Sequence, residues 1–107
     1  MPSRREKIEA LLAQDPADQF LRYGLAIECD NEERFEDALA HFQGLLTDKP
    51  PHVASYFRGA QLLVRLDRLA EARTWLRDGI EAARAQGDAH AAGEMSELLA
   101  SLGSLGE

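Results

Sequence analysis

Cysteine is almost missing from this chain: Cys29 stands alone among 107 residues. No internal disulfide can form, and a reducing compartment suits such usage. No apolar run approaches the roughly 18 residues of a membrane-spanning helix. None follows the basic Arg4-Arg5 pair either, so no secretory leader is expected. These absences predict a soluble, cytoplasmic protein with no membrane partner. Basic residues are in the minority, 12 against 19 acidic ones, for a formal net charge of −7. Such a balance argues against nucleic acid or an anionic bilayer as a partner. Lys and Arg vanish after Arg84, a stretch that still carries Asp88, Glu94, Glu97 and Glu107. The basic excess sits between acidic flanks, with six basic and four acidic residues in 51–84.

Chemical signatures are equally scarce. His41, His52 and His90 share no metal-ligand spacing with one another or with Cys29. Cys29 falls on an apolar stripe and reads as a small core residue. No nucleophile motif, phosphate loop or pocketed carboxylate pair occurs. The expectation is therefore no catalytic residue, no cofactor, no metal and no enzyme. The 45% hydrophobic and 29% charged composition is that of a globular chain, and its length is that of one domain, residues 1–107.

What the chain does have is an echo thirty-four residues long. Pro16 returns as Pro50, Ala26 as Ala60, Ala38 as Ala72, Phe35 as Leu69 and Phe42 as Leu76. Ile8 shares the register of Phe42, and Leu12 that of Leu46 and Ile80. A fixed period of this size means stacked copies of one supersecondary unit, each unable to bury its apolar face alone.

Within the echo the apolar spacing is helical throughout, and nothing reads as a strand. Ser3 with Glu6 makes a capping box for a helix to about Gln14, stopped by Asp15-Pro16. Further helices are expected over about 17–30, from Phe35 to the Pro50-Pro51 pair, over 52–66, over 69–85 and over 89–102. Gly87-Asp88 reads as a helix stop followed by a new N-cap, and residues from Gly103 onward as a frayed end.

The segments Leu25-Ala26, Ala38-x-x-x-Phe42 and Pro50, then Gly59-Ala60-x-x-Leu63 and Ala72-x-x-x-Leu76, resemble the tetratricopeptide repeat. That resemblance implies an all-α, right-handed α-solenoid of antiparallel helix pairs with about six helices. Residues 3–16 would be an N-terminal half-repeat helix, 18–50 and 52–85 two repeats, and 88–103 a C-terminal capping helix. The sequence departs from the family at Arg22, where an aromatic is usual, and at Gly59, where a large apolar residue is. Glu33 and Asp67 replace turn glycines, and Arg84 stands where the second closing proline would fall. After Gly87 the pattern fails, with Gly93 and Glu97 at core positions, so the likeness covers about 4–84.

The family also implies a concave groove lined by the first helix of each repeat. Its residues would be Phe20, Tyr23, Gly24, Ile27 and Asn31, then Phe57, Arg58, Gln61, Val64 and Arg65. Tyr23 and Phe57 recur at the period and would stand side by side as aromatic anchors, with Arg58, Gln61 and Arg65 giving orientation. Arg58 and Arg65 equally suit simple ion pairs with Asp30 or Glu28. The expectation is a non-enzymatic adaptor holding a protein or peptide partner in that groove through Tyr23, Ile27, Phe57, Arg58, Gln61 and Arg65. The alternative is a self-associating module, a homodimer formed through the groove or the ends of the stack. Trp75, on an outer helix, reads as packing.

Overall fold

The computed structural model describes residues 1–105, and all their regular structure is helical. The helices are α1 (Arg4–Gln14), α2 (Gln19–Asn31), α3 (Phe35–Leu46), α4 (Val53–Arg65), α5 (Leu69–Ala85) and α6 (Ala89–Leu105). Each packs on the next in sequence, and α4 also touches α6, giving an elongated stack of 45 × 29 × 18 Å. The fold is an all-α helical repeat.

Local chemistry sets the helix starts. Ser3 Oγ accepts from the Glu6 amide at 3.1 Å while Glu6 Oε1 accepts from the Ser3 amide at 3.2 Å, completing the capping box. Asp18 accepts from the Leu21 amide, which moves the start of α2 to Gln19. Asp88 does the same for α6 through the Ala91 amide.

The ends of α2, α4 and α5 share one device. Glu33 and Asp67 adopt φ of 61° and 60°, and Gly87 adopts 75°. Each left-handed residue lets the next amide reach back to the fifth residue before it: Arg34 to Cys29, Arg68 to Leu63, Asp88 to Ala83, all at 2.8 Å. Two repeats therefore turn identically although neither owns a turn glycine. After the turns at Glu33 and Asp67 an arginine occupies the N-cap position without a side-chain cap bond and instead pairs with an acid in the first turn, Arg34 with Asp37 and Arg68 with Glu71.

The echo residues form the spine. Ala26, Ala38, Ala60 and Ala72 are all completely buried, with Phe42, Leu45, Leu62 and Leu76 fully enclosed around them. Small residues at these crossings bring the helix backbones together. Cys29 lies in the same core.

Two sequence expectations change, at Gly59 and at the end of α6. Gly59 is not a missing apolar group: a Cβ there would lie 2.1 Å from the Trp75 ring, so Trp75 on α5 fills the space from the facing helix. Gly93 and Glu97, where the motif fails, are exposed, and α6 turns Ala92, Met95 and Leu102 inward. The Gly103-Ser104-Leu105 segment continues α6, while Gly106 and Glu107 lie outside the described residues.

Candidate functional site

Tyr23 and Phe57 occupy equivalent places on α2 and α4, and the stacking of the repeats brings both to one hollow. Its volume is about 330 Å³. Val53 and Ala54 extend the apolar floor from α4, and Ala91 with Glu94 closes the far side from α6. Arg58, Gln61, Asp88 and His90 supply the polar rim. Tyr23 is half-buried and anchored edge-on, 5.9 Å from the Phe42 ring and 4.9 Å from His52. Burial raises its phenol pKa, and the Arg58 charge opposes that rise.

His52 holds the Tyr23 ring from behind. Its Nδ1 lies 2.7 Å from Ser55 Oγ, itself fully buried. Desolvation lowers its pKa from 6.5, reinforced by Arg22 and resisted by Asp48. Arg22, standing where the family has an aromatic, donates to Asp48 at 2.8 Å and so ties α2 to the segment after α3.

A second depression of about 580 Å³ adjoins the hollow, sharing Arg58 and Gln61 with it and adding Asp30, Phe35 and Arg65. Arg65 donates to the carboxylate of Asp30, whose side chain is only 5% exposed. The buried acceptor fixes that pair as part of the inter-repeat packing. Arg58 has no ion pair among the described residues.

The structure thus gathers Tyr23, Phe57, Arg58 and Gln61 at one hollow and places Arg65 in the adjoining depression, held by Asp30. Ile27 packs against the core and lines neither depression. Gly24 faces α1 rather than the groove, with a Cβ there 3.6 Å from Ile8. Phe20 stands free, 81% exposed. The α6 wall was missed in the sequence. Its signal was present, since one further step of the period from Tyr23 and Phe57 lands on Ala91. Among the described residues no cluster of His, Cys, Asp or Glu could hold a metal ion, and no helix is long and apolar enough to cross a membrane.

A family model for the tetratricopeptide repeat matches residues 31–102, which carries the likeness through α6 and beyond the 4–84 read from the motif. A solved tetratricopeptide repeat domain protein from Salinibacter ruber is 35% identical, with a TM-score of 0.75 over 81% of this chain and 88% of that one. A protein of Bordetella parapertussis superimposes with a TM-score of 0.81 at 28% identity, over 97% of this chain and 90% of its own. No curated protein matches.

Proposed function

Because the chain belongs to the tetratricopeptide repeat family, whose members mediate protein–protein interaction, we propose that it is a non-enzymatic adaptor that seats a peptide or helix of another protein in the hollow between α4 and α6. The observation that carries this reading is the pairing of Tyr23 and Phe57 on one apolar floor, walled by Ala91 and edged by Arg58 and Gln61. Aromatic anchors in a half-enclosed pocket dominate recognition energetics, and Tyr23 is already immobilised by Phe42 and His52, so little ordering cost falls on binding. Micromolar affinity needs about −8 kcal/mol, within reach of two such anchors and one charge-assisted hydrogen bond.

Peptides selected from a displayed library against the protein test it. Phe57→Ala should abolish their binding while the helical circular dichroism stays native. Both rings pack against the core, but Tyr23→Ala is the poorer probe, since that ring also makes edge contacts with Phe42 and His52. If the selected peptides bind the Phe57→Ala protein unchanged, the groove reading fails.

A further inference from the structure

A separate hollow of about 510 Å³ lies between the Pro50-Pro51 turn and the C-terminal half of α5, and it shares no lining residue with the groove. Pro50, Pro51, Ala82 and Ala85 give it apolar walls around the half-buried Tyr56. The ring is held there by close packing. A Cβ on Gly79 would lie 2.7 Å from Tyr56 Cβ, so glycine at that point lets the aromatic press against the α5 backbone. The hydroxyl of Tyr56 has no hydrogen-bond partner among the described residues.

The charged lining is all of one sign. Asp78 and Glu81, both exposed, are its only ionic residues. Among the described residues neither carboxylate has an ion pair or hydrogen bond, although Arg77 and Arg84 share their helix. Three residues apart on one helix, the two acids stand about 5–6 Å from each other at Cβ and repel. A cation placed between them relieves that repulsion, and its alkyl stem has Ala82 and the Tyr56 ring to pack on. The groove differs, because Arg58 there opposes Asp88 and Glu94.

We propose that this hollow is a second docking surface, which takes a cationic segment of a partner protein where a lysine or arginine adjoins an apolar side chain. The net charge of −7 steers such a segment toward the molecule, and the unpaired carboxylates beside Tyr56 give it a fixed seat.

A titration of nitrogen-15-labelled protein with a short amphipathic leucine–lysine peptide tests the proposal. Amide shifts should cluster around Tyr56, Asp78, Glu81 and Ala82, and a matched leucine–glutamate peptide should produce none. Asp78→Asn combined with Glu81→Gln should weaken binding by about tenfold or more. Both side chains are exposed, so the variant keeps its fold. Phe57→Ala should bind as the native protein does. A control that removes two distant charges, Asp15→Asn with Glu97→Gln, should leave the affinity unchanged. Equal weakening by that control would reduce the effect to bulk charge and overturn the site. Shifts that map to the groove would overturn it too. So would self-association in sedimentation that the Asp78→Asn, Glu81→Gln variant abolishes, since the surface would then belong to a second copy.

Discussion

At Glu33 and Asp67 the backbone takes a conformation that side chains resist. Both sit at φ near +60°, where an L-residue costs about 1–2 kcal/mol, aspartate being better tolerated than glutamate. Among the described residues neither makes a side-chain hydrogen bond that would offset this, so Glu33→Gly should raise stability by about 1 kcal/mol and Asp67→Gly by less. Urea unfolding measures both, and a loss at either position would contradict the turn assignment. Gly59 is the opposite case. Alanine there would drive a methyl into the rigid Trp75 ring, so Gly59→Ala should destabilise by about 1–3 kcal/mol. His52 gives the molecule its pH response. Burial holds its folded-state pKa below 6.5, so the unfolded chain takes up a proton that the folded protein refuses. Its contribution is complete above pH 6.5 and declines as the pH falls through that value. Asp48, held below its ordinary 3.8 by hydrogen bonds from Arg22 and Gln19, adds a further loss below about pH 4. His52→Gln should flatten the upper of these two slopes in urea titrations run between neutral pH and pH 5.

Element by element, stability follows position in the stack. The inner helices α2, α3, α4 and α5 are flanked on two sides, whereas α1 buries no residue and packs chiefly on α2. Isolated helices of its 11-residue length are marginal in water, so α1 depends on Ile8 and Leu12 meeting the core and on Arg5 bridging Glu9 and Glu32. Hydrogen exchange should therefore be fastest in α1 and slowest in α4 and α5, and equal protection across all six would refute the end-helix argument. Helix order and most boundaries were legible in the sequence because each helix carries its own start or stop: Ser3 with Glu6, Pro50-Pro51, Gly87-Asp88. The register of α6 was harder to read. Stepping the motif forward puts Gly93 and Glu97 where the second repeat carries Gly59 and Leu63, and among the described residues no further helix covers that face. With nothing to bury it, the sequence there is free to be polar, and burial falls to Ala92, Met95 and Leu102. The boundary of α2 was off for a simpler reason, since Asp18 captures the first free amide.

For the whole molecule, the meeting of Tyr23 and Phe57 at one hollow was readable because both obey the period that built the fold. The wall was only partly readable: Ala91 falls on the same period, whereas Glu94 reaches the hollow only because α6 folds back over α4. The ion-pair partner of Arg65 was likewise undecidable from spacing, Asp30 and Glu28 both being in reach, and the structure gives Asp30. The same register speaks to assembly. Position by position, Arg4 stands where the repeats carry Ala38 and Ala72, and Glu94 stands where they carry Ala26 and Ala60. All four alanines are completely buried at helix crossings, while the Arg4 side chain is 78% exposed and that of Glu94 46%. A further hairpin stacked on either end would have to bury an ion at the point of closest backbone approach, at a desolvation cost of several kcal/mol. Met1, Leu11 and Phe20 are exposed, but three single apolar side chains do not offset that cost. The chain should therefore sediment as an 11.8 kDa monomer. Arg4→Ala combined with Glu94→Ala and Glu97→Leu should open both ends to stacking and produce association that grows with concentration. A wild-type dimer that persists on dilution would mean the ends or the groove are covered by a second copy.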